Sequence, residues 1–121
     1  MVKQFIGDNM ESKIKKIVNK FLDVELYSIA EYKGKWEIIL KDRFDKGQCF
    51  LSDVEAIRSE LEEFAYGGVS IDEMEDDDKV LITFQDIDKV NLADWERKTI
   101  KKLNKEKANW SKIARLVFNE E

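Results

Sequence analysis

Residues 24–40 read VELYSIAEYKGKWEIIL and carry the clearest structural signal in the chain. Apolar and polar side chains alternate on both sides of Lys33-Gly34-Lys35, and Trp36, Ile38 and Leu40 fall on one face. Alternation with a period of two is typical of half-buried strands, and a glycine between two such runs indicates a tight turn. These residues predict a β-hairpin with one apolar face that other parts of the chain must cover.

The segment before the hairpin predicts an amphipathic helix near 9–23. Asp8 and Glu11 have the spacing of a capping box at its start. Apolar residues then recur every three or four positions, which is the helical period: Met10, Ile14, Ile17, Val18, Phe21 and Leu22.

After the hairpin we expect a third strand and a second helix. Gly47 suits a left-handed turn, so residues 48–51 are predicted to return as a third strand of a meander. Ser52 and Glu55 form another capping-box pattern, and Val54, Ile57, Leu61 and Phe64 follow at helical spacing. A second helix is therefore predicted near 53–66, ending at Gly67-Gly68.

The last third of the chain predicts a second hairpin and a C-terminal helix. Val69 and Ile71 form a short strand, residues 72–78 a polar connection, and residues 80–84 a further strand. Asn91 or Asp94 can cap residues 92–118, which form one long helix or two joined near Asn109. We expect one compact α+β domain over 1–121, with an antiparallel sheet of about five strands in the order α-β-β-β-α-β-β-α and helices packed on it.

Composition excludes many kinds of site. The 121 residues include no histidine and one cysteine, Cys49, so a Ser-His or Cys-His pair and an intramolecular disulfide are impossible. Cys49 is expected to be a small buried side chain. No apolar run approaches membrane-spanning length and the first ten residues lack a secretory h-region, so we expect a soluble cytoplasmic protein. We expect no enzymatic activity, cofactor or bound metal.

Charge is distributed unevenly along the chain. Residues 53–88 contain 13 acidic and 2 basic residues, a net charge of −11, within a total of −5. Residues 89–115 contain 9 basic and 3 acidic residues, a net charge of +6. A strongly negative region favours basic partners and repels nucleic acid, whereas a basic helix does the opposite. The two regions can also neutralise each other within a monomer or across a homodimer.

The acidic region favours a small non-enzymatic protein-binding module that blocks a nucleic-acid-binding surface of a bacterial protein. In general character the chain is similar to small acidic phage proteins, including anti-CRISPR and DNA-mimic anti-restriction inhibitors. A basic protein partner is expected, and direct binding to nucleic acid or membrane is not. The predicted partner-binding residues are Glu60, Glu63, Asp72, Glu73, Glu75, Asp76, Asp77, Asp78 and Trp95.

Two other functions stay open at this point. The basic segment near 92–107 could serve a nucleic-acid-binding or transcriptional regulator. A metal-dependent nuclease needs an Asp followed by Glu-x-Lys on adjacent core strands. The candidates Glu31-Tyr32-Lys33 and Glu96-Arg97-Lys98 fall at a predicted turn and on a predicted helix.

Two further patterns lack details that their function requires. The acidic residues 72–78 suggest a calcium-binding loop. The loop contains no glycine, however, and in a twelve-residue calcium loop starting at Asp72 the last position, which needs a bidentate Glu, is Thr83. The order of the first five predicted elements resembles that of double-stranded RNA-binding domains. That family grips phosphates with lysines at the start of the second helix, where this chain has Ser52-Asp53-Val54-Glu55.

Overall fold

The computed structural model describes the backbone of residues 9–119, and their side chains except those of 108, 111, 112 and 114–119. The predicted α+β class is confirmed. Within the described range the protein has a four-stranded antiparallel sheet and three α-helices. The elements are α1 (Met10–Val18), β1 (Val24–Tyr32), β2 (Lys35–Asp42), α2 (Gln48–Leu61), β3 (Ala65–Glu73), β4 (Lys79–Asp86) and α3 (Asp94–Asn119), with 3-10 turns at Glu62–Phe64 and Ile87–Lys89.

The sheet consists of two hairpins joined side by side. Its strand order is β1-β2-β4-β3, so β2 and β4 lie in the centre and β1 and β3 form the edges. All three strand pairs are antiparallel. The helix α2 therefore crosses over the sheet, connecting the central strand β2 to the far edge strand β3.

Strand register places the apolar positions in rows across one face. Ile38 on β2 is opposite Ile29 on β1 and Ile82 on β4, and Ile82 is opposite Ile71 on β3. The same face carries Leu40 and Val80 in the next row. Because α1 and α2 bury their own apolar stripes against these rows, one core forms between a helical layer and the sheet.

The start of α1 is fixed by Asn9. Its Oδ1 accepts a hydrogen bond from Ser12 N at 2.8 Å, which satisfies one of the free amides of the first turn. Asp8, the predicted cap, lies outside the described residues. The helix ends at Val18 rather than near 23, and Phe21 and Leu22 lie in the tight turns that lead into β1.

The predicted third strand at 48–51 is wrong, and so is the sheet of about five strands. These residues form the first turn of α2, which begins at Gln48 directly after Gly47. Phe50, Val54, Ile57 and Leu61 are all buried, so the helical spacing extends one turn further towards the N-terminus than Ser52 suggests. Without that strand, the element order no longer matches a double-stranded RNA-binding domain.

Gly67 and Gly68 do not end a helix. The helix α2 stops at Leu61 and a 3-10 turn follows, whereas both glycines lie within β3 at an irregularity of the ladder between Ala65 and Val69. Their φ angles of +87° and +95° are in the left-handed region, where glycine carries no Cβ penalty.

The C-terminal segment is one helix, α3, rather than two. It begins at Asp94, and the Glu96 carboxylate accepts a hydrogen bond from Ala93 N at 3.0 Å. Two hydrogen bonds from its side chains reach backbone oxygens of the body: Arg97 donates to Val90 O at 2.8 Å and Asn104 donates to Ala65 O at 2.7 Å. The helix therefore packs at the end of the sheet where β3 begins and β4 ends.

Candidate functional site

The end of the sheet where β3 turns back into β4 is strongly acidic. The last paired residues are Asp72, opposite Leu81, and Glu73, opposite Val80, and the loop between the strands adds Glu75 and residues 76–78. A four-stranded sheet presents its turns at two ends, so residues on these turns share surface with the other turns at the same end.

Backbone hydrogen bonds connect this loop to the neighbouring segments. Asp42 N donates to Asp78 O at 2.8 Å, and Arg43 N donates to Asp23 O at 3.0 Å. Asp45 and Asp53 belong to the loop and helix that follow β2 at the same end. We refer to this surface as the acidic pole, consisting of Asp23, Asp45, Asp53, Asp72, Glu73, Glu75, Asp76, Asp77 and Asp78.

Lys79 neutralises part of the acidic pole. Its Nζ lies 3.0 Å from Asp76 Oδ2 and 3.5 Å from Asp78 Oδ1, and 4.8 Å from the centre of the Tyr27 ring. The hydrogen bond to Asp76 is the main cause that raises the pKa of Lys79. Within residues 9–119, no described basic side chain lies within ion-pair distance of Asp72, Glu75 or Asp77.

The position of Asp53 at the acidic pole disfavours its negative charge. Burial, followed by the negative charge of Asp23, raises the pKa of Asp53. Asp53 is half-buried on the first half of α2, and Asp23 immediately precedes β1. The pole is therefore a place where negative charge is concentrated beyond what the surrounding groups compensate.

The buried carboxylate of Asp42 builds the turn at the acidic pole. Only 7% of this residue is exposed, and its two oxygens accept hydrogen bonds from Lys46 N at 2.8 Å and Gly47 N at 2.9 Å. These two hydrogen bonds close the turn that directly precedes α2. Asp42 thus has a structural role.

The structure does not bring Glu60 and Glu63 to the acidic pole. They lie at and just beyond the end of α2, next to the point where Ala65 pairs with Asp86, at the opposite end of the sheet. Glu60 forms an ion pair with Lys20, and Glu63 lies beside Lys13 in a groove. Eight of the nine predicted partner-binding residues are acidic. They form two separate surfaces, because β3 runs from one end of the sheet to the other between them.

Lysines from two helices surround a groove at this opposite end. It has a volume of about 440 Å³, and its walls include Lys13 of α1 and Lys101, Lys102 and Lys105 of α3. We refer to it as the lysine groove. Phe64 and the buried Ile87 supply its apolar surface, while Glu63, Asp86 and Asp88 add negative charge. Lys101 pairs with Asp88 at 2.7 Å, and Lys13 lies 4.9 Å from the centre of the Phe64 ring.

Trp95 lies on the first turn of α3, away from the acidic pole. Its side chain is exposed, with 69% of the residue accessible. Of the nine predicted partner-binding residues, six therefore lie at the acidic pole, and Glu60, Glu63 and Trp95 lie towards the α3 end of the molecule.

No protein-family model, curated protein or solved structure matches this chain.

Two single residues are more exposed than their positions in the sequence suggest. Trp110 fits an apolar helical stripe, yet 69% of it is exposed on α3, whereas Trp36 packs against the core. Cys49 was expected to be buried in a strand, but it is exposed on the first turn of α2. Helix α2 turns Phe50 inwards, and its neighbour Cys49 consequently faces outwards.

The candidate nuclease residues Glu31 and Glu96 make local contacts with the backbone. The Glu31 carboxylate accepts a hydrogen bond from Gly34 N at 2.6 Å, and that of Glu96 accepts one from Ala93 N. Among the described residues, no three His, Cys, Asp or Glu side chains converge in an arrangement that could hold a metal ion. Over the same part of the chain, no helix is long and apolar enough to cross a membrane.

Proposed function

We propose that this protein is a non-enzymatic binding module that docks its acidic pole on a basic surface of another protein. The observation that carries the proposal is the set of exposed carboxylates Asp72, Glu75 and Asp77, which have no basic partner among the described residues. Charges left uncompensated on a folded surface attract a partner of opposite sign over several ångströms.

The positions of these carboxylates support competition with a nucleic acid. Asp72 lies at the end of a strand, while Glu75 and Asp77 lie on the short loop beside it, so the three charges are clustered at one end of the sheet. A cluster of negative charge can occupy a basic groove that binds phosphates. The proposed partner is therefore a bacterial nucleic-acid-handling protein, and the proposed effect is inhibition, as with phage-encoded inhibitors.

The experiment uses a variant that removes charge without disturbing Lys79. In D72N/E75Q/D77N, three unpaired carboxylates become neutral, while Asp76 and Asp78 keep their contacts with Lys79. The matched control E11Q/E37Q/D94N changes the net charge by the same amount at three exposed positions on α1, β2 and α3. Both variants are used as bait beside the unmodified protein in a bacterial lysate treated with nuclease.

We expect the unmodified protein and the control variant to recover the same nucleic-acid-handling protein, and the pole variant to lose it. Excess double-stranded DNA should release that partner from the unmodified protein, because both ligands occupy one surface. A partner that the pole variant retains, or that DNA does not release, would contradict the proposal.

A second function is favoured by the lysine groove. Lys102 and Lys105 line the groove without an ion-pair partner among the described carboxylates, and the aromatic ring of Phe64 lies in the same groove. Lysines beside an aromatic ring are typical of surfaces that bind single-stranded nucleic acid. This function predicts that a fluorescent 20-nucleotide single strand binds the protein and that K102Q/K105Q abolishes the binding, measured by fluorescence anisotropy.

A further inference from the structure

The outward face of α3 carries an exposed apolar stripe. With 100° of rotation per residue, Trp95, Leu103, Trp110 and Ile113 fall within a sector of about 80°. The exposed fractions are 69% for Trp95, 58% for Leu103, 69% for Trp110 and 48% for Ile113. We refer to these four residues as the α3 stripe.

The α3 stripe lies opposite the side of the helix that holds the body of the protein. Arg97, Lys101, Asn104 and Lys107 make the contacts with Val90, Asp88, Ala65 and Glu62, and they occupy the other side of the helical wheel. Asn104 is about 180° from Trp95 on this wheel. No movement of α3 within the described chain could therefore bury the stripe while those contacts remain.

The exposed area reaches the minimum that a specific dimer interface requires. Aromatic side chains bury about 150–250 Å² each, so the two tryptophans with Leu103 and Ile113 offer about 500 Å² of apolar surface. Two copies facing each other would remove about 1,000 Å² from water, which is the lower bound for a specific interface.

We propose that the α3 stripe binds a second copy of this chain, with the two α3 helices antiparallel about a two-fold axis at the level of residues 103–105. The axis makes the interface self-complementary, as a symmetric dimer requires. This inference is independent of the function proposed for the acidic pole.

Charge and shape both select the antiparallel direction. Helices crossing at residue 104 place Trp95 opposite Ile113 of the second copy and Lys102 opposite Glu106 of the second copy. The same register places the stem of Lys98 against the Trp110 ring, where its ammonium can interact with the ring. Parallel helices would place Lys102 against its own counterpart, and like charges across a helical seam disfavour pairing.

The dimer would leave both acidic poles free. The helix α3 packs at the end of the sheet where Ala65 pairs with Asp86, and the acidic pole lies at the other end. Two poles would therefore face away from the two-fold axis.

The first test measures the mass of the full chain by sedimentation equilibrium over a range of concentrations. We expect a dimer for the unmodified protein and for L22E, a control at another exposed leucine. For L103E we expect a dissociation constant about 100-fold higher, because each copy places an unpaired carboxylate in the seam. Circular dichroism checks that both variants are folded.

The second test separates the interface from effects within one helix. K102E carries two acidic residues at positions 102 and 106, and E106K carries two basic ones, so each variant alone should be monomeric. Mixing them should restore a dimer, measured by co-purification of an untagged E106K chain with a tagged K102E chain. A change confined to one helix could not be rescued by a second chain.

Three outcomes would overturn the inference. These are a monomeric unmodified protein at all concentrations, a dimer that L103E leaves intact, and K102E and E106K chains that do not associate when mixed. Sedimentation of a monomeric protein with vesicles of phosphatidylserine and phosphatidylcholine, lost in L103E, would assign the stripe to a lipid surface instead.

Discussion

The two ends of the sheet differ in how far their carboxylates are paired with basic side chains. At the end near α3, Lys101 pairs with Asp88 and Lys107 with Glu62. At the acidic pole, Asp76 and Asp78 share one lysine, Lys79, and burial and Asp23 disfavour the charge of Asp53. A run of acidic residues in sequence therefore does not define a surface, because the fold decides which of them are neutralised.

The two ends also hold their turns differently. Close packing fixes the β1–β2 turn at the α3 end, where Gly34 is buried and its oxygen accepts a hydrogen bond from Asp86 N at 2.8 Å. A buried carboxylate, that of Asp42, fixes the turn after β2 at the acidic pole. Substitutions at these two turns should consequently destabilise the protein for different reasons.

The largest effect is expected for G34A. Gly34 has a φ of +87°, and an added Cβ would overlap the Cβ of Lys89 and approach Gln85 Nε2 to 2.6 Å. Gly67 has the same φ of +87° with no atom within 4 Å of an added Cβ. G67A should therefore cost about 1 kcal/mol from backbone strain alone, and G34A about 1–3 kcal/mol more. Urea denaturation measures both, and equal losses would contradict the packing argument.

The next effect is expected for D42A. Removing the buried carboxylate deprives Lys46 N and Gly47 N of their acceptor, and the loss of these two hydrogen bonds should cost about 1–3 kcal/mol. D42N keeps one acceptor oxygen and should cost less. The control D77N removes an exposed carboxylate and should change the free energy of unfolding by less than about 0.5 kcal/mol. If D42A were as mild as D77N, Asp42 would not hold the turn.

A smaller effect of opposite sign is expected for D53N. The pKa of Asp53 is raised on folding, so its charged form destabilises the native state above that pKa. D53N should therefore stabilise the protein by a few tenths of a kcal/mol at pH 7. The gain should disappear as the pH falls through the raised pKa and below the ordinary value of about 3.9, because the Asp53 carboxyl is then protonated in both the folded and the unfolded state. Thermal denaturation at pH 7 and pH 3.5 checks the sign.

The smallest effect is expected when the acidic residues near α3 are neutralised. E60Q/E63Q lies at the end of the sheet away from the acidic pole, and Glu60 is already paired with Lys20. We expect this variant to bind the partner of the acidic pole as the unmodified protein does, measured by the affinity for the purified partner. Weaker binding would mean that the two acidic surfaces act together and that the comparison between the ends is wrong.

The parts of the fold that the sequence predicted are those with strong periodicity. Both hairpins, the α1 helix and the apolar rows through Ile38 and Ile82 follow from alternation or helical spacing. The third strand was wrong because Gly47 and Cys49 resemble a turn and a strand locally, while Phe50 belongs to the buried stripe of α2. That spacing, Phe50 to Val54 to Ile57, was present in the sequence and could have corrected the prediction.

The candidate site was predictable only in part. The acidic loop was visible as residues 72–78, but its junction with Asp23 and Asp53 depends on long-range strand pairing that no local pattern encodes. The separation of Glu60 and Glu63 from the pole has the same origin, since it follows from the direction of β3. The exposure of Trp110 could not be foreseen, because an apolar stripe on a helix is the same in sequence whether it faces a core or a partner.

The most direct test of the account is the affinity of the recovered partner for three forms of the protein at two salt concentrations. The forms are the unmodified chain, D72N/E75Q/D77N and the charge-matched control E11Q/E37Q/D94N. We expect the pole variant to lose most of the affinity, and the unmodified chain and the control to bind alike and to weaken together at high salt. Equal losses in the pole variant and the control would show that overall charge, and not the acidic pole, governs binding, and would contradict the account.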